Sequence, residues 1–97
     1  MKLTKEDIIK FLSDNRTLLR DRFDVTDIAL FGSFARGEEK EESDVDLYVE
    51  MPADFFKRCD LMEFLEKIFK RKVDILRKRP NLKPRILKEI EKDSVYV

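Results

Sequence analysis

The chain has 97 residues, enough to bury the core of one domain spanning 1–97 but too few to add a separate substrate domain. It is 42% hydrophobic and 43% charged, with eight Phe and only two Gly, which predicts a folded globular protein with a heavily solvated surface. His is absent, and this excludes Ser-His-Asp and Cys-His catalysis, His-based zinc sites and a histidine general base.

The formal net charge of zero hides an asymmetry: Glu38 to Glu66 is strongly acidic and Lys67 to Lys92 strongly basic. Lys70, Arg71, Lys72, Arg77, Lys78 and Arg79 bracket Asp74, where they would attract phosphates or an RNA, or simply form a solvated surface balancing the acidic half. The lone Cys59 has no internal disulfide partner, agrees with a reducing compartment and is expected to fill a small space in the core. No stretch is long enough to span a membrane, and Met1-Lys2-Leu3-Thr4 lacks a signal-peptide layout, so a cytoplasmic protein is expected.

Thr4 followed by Asp7 reads as an N-cap with its partner, and Ile8, Phe11, Leu12, Leu18 and Leu19 keep helical spacing to about Arg20. Asp24 to Asp27 turns into a strand, Ile28 to Phe31, that ends in Gly32-Ser33. A short helix from Ser33 to about Gly37 follows. Gly lets a backbone approach a ligand closely, and a following helix start would aim free N–H groups at an anion. The Ser33 hydroxyl adds a donor, and Arg36 lies one turn on. In isolation the pair is also an ordinary strand-to-helix turn, and Arg36 a surface cation. Gly32 and Gly37 have P-loop spacing, but Glu38 and Glu39 stand where a P-loop requires Lys and Ser or Thr, so that reading is rejected.

A second strand, about Val45 to Val49, opens with Ser43-Asp44-Val45-Asp46, Ser43 shaping the turn into it. Strand period points Asp44 and Asp46 to one face, with Val45, Leu47 and Val49 on the other. Mg²⁺ is bound through one or two carboxylates plus substrate phosphates, and a second ion about 3.5 to 4 Å away clamps attacking and leaving oxygens. Taken alone, D-x-D is also the pattern of a solvated loop edge.

Beyond Pro52, the residues Phe55, Cys59, Met62, Leu65 and Phe69 share one helical face, with Leu61 and Ile68 beside it. Asp60 and Glu63 would instead cap a shorter helix starting at Leu61, and Phe56 and Phe64 are expected under neighbouring loops. Val73 to Leu76 reads as a third strand on which Asp74 faces away from Val73 and Ile75. Pro80 and Asn81 break the chain before a last helix, about Pro84 to Glu91, with Pro84 suited to its first turn. Ser94 to Val97 is an apolar tail, either a short edge strand or a partner contact. This order of elements predicts an α/β (α+β) fold, a small sheet flanked by helices.

The arrangement G-S-F-A-R-G, then S-D-V-D-L, then K-R-K-V-D-I-L resembles the nucleotidyltransferase superfamily of DNA polymerase beta, specifically its minimal, single-domain members, and the likeness extends to the ending N-L-K-P-R-I-L-K-E-I. One departure is the loop Glu38 to Glu42, very acidic for a neighbour of a triphosphate. The resemblance implies a mixed sheet in the nucleotidyltransferase arrangement. It also implies a site in which Gly32 and Ser33, with Arg36, bind the donor phosphates, Asp44 and Asp46 carry Mg²⁺ in a two-ion site, and Asp74 completes the metal site and helps to orient or deprotonate the acceptor hydroxyl. The donor substrate would be ATP. Resemblance to minimal nucleotidyltransferase antitoxins further implies a HEPN-domain toxin, an RNase, as the partner whose tyrosine receives AMP. Small-molecule adenylylation and a non-catalytic antitoxin that masks its toxin are the alternatives. Direct nucleic-acid binding is not expected, and a homo- or hetero-oligomer is left open.

Overall fold

Thr4 starts the first helix by capping it: its Oγ1 accepts from the Asp7 N–H (3.2 Å) while its own N–H donates to Asp7 Oδ2 (3.0 Å). The structure, a computed structural model, describes residues 2–97. Helix α1 covers Lys5–Asp14, and a separate α2 covers Arg16–Phe23. The expected unbroken helix to Arg20 is therefore corrected. Asn15 leaves helical geometry (φ −116°, ψ 21°), and its Nδ2 donates to the Phe11 carbonyl at 2.8 Å, the competition with the helix ladder to which short polar side chains are prone.

Strand β1 (Asp27–Phe31) runs directly into the short α3 (Gly32–Arg36), and β2 spans Val45–Glu50. Helix α4 (Phe55–Phe69) crosses over to β3 (Val73–Arg77), and α5 (Pro84–Asp93) precedes β4 (Val95–Tyr96). The four strands lie in the order β3-β2-β1-β4, with β2 and β3 parallel and the other pairs antiparallel, so the sheet is mixed as expected. The apolar tail pairs with β1 as a short edge strand. Among the described residues, no helix is long and apolar enough to cross a membrane.

Alternation along the strands gives the sheet two different faces. Ile28, Leu30, Val45, Leu47, Val49 and Val73 pack against α1, α2 and α4 in the main core. The opposite face carries a smaller cluster, Ala29 and Tyr48 under Leu82 and Ile90, with Ile86 and Leu87 of α5 alongside. Pro84 opens α5, where its missing N–H costs nothing.

Helix α4 differs from expectation in which stripe it buries. Asp54 caps it by accepting from the Lys57 N–H (3.0 Å), so the shorter version beginning at Leu61 does not occur. Leu61, Leu65 and Phe69 are the buried residues, whereas Phe55 and Phe56 are 62% and 79% exposed and Cys59 is only half-buried. A helix of this length extends about 22 Å and the strand it covers about 17 Å, so one end overhangs, and here it is the first turn. Phe64 packs between the rings of Phe11 (6.4 Å) and Phe23 (5.6 Å) instead of beneath a loop.

Candidate functional site

Parallel pairing of β2 with β3 sets Asp46 directly beside Asp74, and antiparallel pairing with β1 sets Phe31, the residue before Gly32, on the other side of Asp46. Three segments that are distant in sequence therefore meet at the start of β2. Val45, fully buried, donates its N–H to the Lys72 carbonyl at 2.9 Å, so the strand is held up to the residue following Asp44. Asp44 lies one residue before the strand, close enough for its charge to act on Asp46. Val73 is fully buried while Asp74 is exposed, which places the Asp74 carboxylate on the face opposite the main core.

The carboxylates of the cluster repel one another. The Asp46 carboxyl is pushed up from its ordinary 3.8 to about 6, first by burial and then by the negative charges of Asp74, Asp44 and Glu89, with Arg36 pulling slightly the other way. Glu89, on α5, is a carboxylate that sequence reasoning missed. It stands beside Ile90 at the flank of the apolar stripe, where a charged residue looks like any other solvated position.

Gly32 adopts φ +76°, and a β-carbon built on it would overlap Asp46 Oδ2 and lie 3.1 Å from Asp46 Cγ. Its glycine character thus serves the carboxylate as well as the turn. Ser33 follows on α3, half-buried, and its carbonyl accepts from the Glu38 N–H at 2.9 Å. Ser43 closes the loop before Asp44, its Oγ accepting from the Lys40 N–H at 2.7 Å, which is the turn-shaping role expected of it.

Arg36 is engaged by carboxylates: Nε donates to Glu38 Oε2 (3.1 Å) and an Nη donates to Asp93 Oδ2 (3.0 Å), with Glu89 at 4.0 Å. The pair with Asp93 ties the end of α3 to the end of α5. Within the basic run, Lys78 pairs with Glu50 (3.5 Å) and Arg71 bonds into the chain itself.

Among the described residues no three His, Cys, Asp or Glu side chains close around a point as a ready metal cage. An all-oxygen donor set with uncompensated negative charge nevertheless fits a hard divalent cation, because Mg²⁺ takes only one or two carboxylates from protein and completes its shell with water and substrate phosphates.

A mixed sheet with an open group of carboxylates beside a glycine turn is an arrangement suited to cation-assisted transfer of a phosphate-bearing group. The nucleotidyltransferase domain family matches residues 8–97, and the chain belongs to that family. It is 42% identical over 98 residues to the protein adenylyltransferase MntA of Thermococcus cleftensis, covering 98% of this chain and 97% of that protein. Among solved structures it is similar to a chain provisionally assigned as a minimal nucleotidyltransferase, at TM-score 0.77 and 27% identity over 96% of this chain and 95% of that one. It is also similar to a chain of a toxin–antitoxin complex solved with AMP-PNP, at TM-score 0.71 and 26% identity, covering 97% of this chain and 72% of the other.

Proposed function

We propose that this nucleotidyltransferase is a Mg²⁺-dependent protein adenylyltransferase that acts as an antitoxin, transferring AMP from ATP to a tyrosine hydroxyl of a HEPN-type RNase toxin in the cytoplasm. The observation that carries the reading is the side-by-side register of Asp46 and Asp74, with the charge of Asp44 also acting on Asp46 and the Gly32 turn against it. Similarity to a protein adenylyltransferase and to a chain of a toxin–antitoxin complex holding an ATP analogue supports a protein acceptor and an adenine nucleotide donor.

In this transfer the tyrosine oxygen attacks the α-phosphorus, a new P–O bond forms, the bond to the bridging oxygen breaks, and pyrophosphate leaves with the bond's electron pair. Bound Mg²⁺ would supply charge neutralisation on the phosphates and on the leaving pyrophosphate. Asp44 and Asp46 would hold the cation, while Gly32 and Ser33 would bring backbone and hydroxyl donors to the donor phosphates. Asp74, exposed on the edge strand next to Asp46, would orient the incoming hydroxyl and take its proton. Such chemistry depends on positioning and electrostatics and needs no covalent residue, which suits a chain without His. The acidic loop Glu38 to Glu42 disfavours free approach of a triphosphate, so the nucleotide is expected to bind as its Mg²⁺ complex.

Incubation with ATP, Mg²⁺ and the product of an adjacent HEPN-type gene tests the proposal by mass spectrometry. Intact partner gaining AMP on tyrosine is the expected result, with no gain when Asp44 or Asp46 is replaced by Asn. A partner neutralised equally by wild type and by those variants, with no added mass, would make the protein a masking antitoxin. Efficient adenylylation of small alcohols or aminoglycosides without partner binding would move the acceptor to small molecules.

A further inference from the structure

Three pieces of the site come from separate stretches: the Gly32 turn on α3, Asp44 at the end of a long acidic loop, and Asp74 on β3. One side chain touches the supports of all of them. The Arg71 guanidinium lies over the ring of Phe34, 5.5 Å from its centroid, and Phe34 is the fully buried residue of α3 two positions after Gly32. From that position the same Nη donates to the Lys40 carbonyl (3.2 Å) and to the Ser43 carbonyl (3.1 Å), the latter immediately before Asp44. Arg71 itself stands three residues before Asp74, and the carbonyl of its neighbour Lys72 takes the Val45 N–H just after Asp44.

We propose that Arg71 is a positioning residue of the transfer site, holding the loop that carries Asp44 against α3 and the start of β3. The inference rests on the function proposed above and adds a residue which that reading does not use.

Physical chemistry favours Arg for this task over any other cation. A planar guanidinium stacks on an aromatic face and still donates in its own plane, whereas a Lys ammonium has no plane to stack and no fixed fork of donors. The loop needs such a tie, because Glu38, Glu39, Glu41 and Glu42 repel one another, with Glu38, Glu41 and Glu42 exposed and Glu39 half-buried. The turn from Lys40 to Ser43 closes its own hydrogen bonds, with the Ser43 N–H on the Lys40 carbonyl (3.0 Å), but these fix only the shape of the turn. Arg71 fixes where the turn sits relative to the sheet. Glu66 complements it from α4, its Oε2 accepting the Val73 N–H at 3.0 Å and so anchoring the start of β3.

Positioning and phosphate binding make opposite forecasts for a charge-conserving change. If Arg71 works by bridging carbonyls over Phe34, Arg71→Lys and Arg71→Ala both lower kcat for AMP transfer by about 100-fold, the loss expected when a reacting group shifts by about 1 Å. KM for the protein acceptor stays within a few-fold of wild type. A readout independent of turnover is Mn²⁺ binding, followed by the loss of the free-ion electron paramagnetic resonance signal, in the presence of an ATP analogue with a methylene bridge between the α- and β-phosphates. Both variants are expected to weaken Mn²⁺ binding at least about tenfold, the scale found when a supporting side chain behind a metal ligand is removed.

Rescue by Lys in both assays would make Arg71 a phosphate-binding cation and overturn the proposal. A lowered melting temperature with unchanged kcat and Mn²⁺ affinity would reduce it to a structural contact and overturn it equally. Wild type is assayed in parallel: absence of transfer by wild type refutes the proposed function, whereas active wild type with equally active Arg71 variants refutes this inference alone.

Discussion

The carboxylate of Asp46 lies where the side chain of any residue other than glycine at position 32 would have to begin. Glycine is required there twice over, by its φ of +76° and by this contact. Gly32→Ala is accordingly expected to cost about 1–3 kcal/mol for the backbone conformation alone, plus the displacement of Asp46, and to remove transfer activity. A double-mutant cycle separates the two contributions. In an Asp46→Ala background the overlap with the carboxylate is gone and only a 3.2 Å contact with the remaining β-carbon is left, so adding Gly32→Ala should cost measurably less stability than it does in wild type. Strict additivity of the two changes in urea unfolding would show that the carboxylate and the glycine are not in contact.

The elevated Asp46 pKa makes a prediction about pH with a definite sign. Its carboxyl titrates near 6 in the folded protein against an ordinary 3.8, so the folded state holds this proton more tightly than the unfolded chain. Ionised Asp46 therefore opposes folding above about pH 6, and the penalty fades as pH falls through the ordinary carboxylate range. Asp46→Asn removes the penalty at high pH and changes little at low pH. Allowing for solvent screening of a half-buried group, the metal-free variant should gain about 1–2 kcal/mol at pH 8 and close to none at pH 4. Urea unfolding with a chelator present measures this, and an equal gain at both pH values would mean that packing, not charge, accounts for it. The same variant should lose transfer, the exchange of stability for activity typical of clustered like charges.

Much of this site could be read from the sequence because its signals are local. The alternation from Asp44 to Val49 fixes which face the carboxylates share, and Gly32-Ser33 at the end of an apolar run fixes where the turn falls. The register of β3 against β2 was not readable, since any shift by two residues would have kept Asp74 on the same face while moving it away from Asp46. Glu89 was invisible as a site residue, and Arg71 stood out only as one cation of the run that brackets Asp74, for a related reason: their contacts depend on how α5 and the β3 approach pack, which no local pattern records. In α4 two stripes shared Leu65 and Phe69, and only the mismatch in length between helix and sheet decided that Leu61 is buried and Phe55 exposed. The break at Asn15 came from a side-chain hydrogen bond to Phe11 that apolar spacing does not encode.

Asp74 provides the sharpest separation between binding and chemistry, because it is exposed on an edge strand and its removal leaves the core untouched. Asp74→Asn should preserve the fold and bind a non-transferable ATP analogue within a few-fold of wild type, while transfer falls by about 100-fold or more, the usual scale for loss of a positioned proton acceptor. It should also change its neighbour. Asp74 is the largest of the charges raising the Asp46 pKa, after burial, so the Asp46 carboxyl in the metal-free variant should titrate below the value near 6 expected in wild type. Carbon-13 NMR of the Asp46 side chain follows that titration directly. A loss of nucleotide binding as large as the loss of transfer would make Asp74 part of the nucleotide grip instead of the acceptor's partner. An unmoved Asp46 titration would show that the two carboxylates, adjacent in the strand register, do not act on a common point.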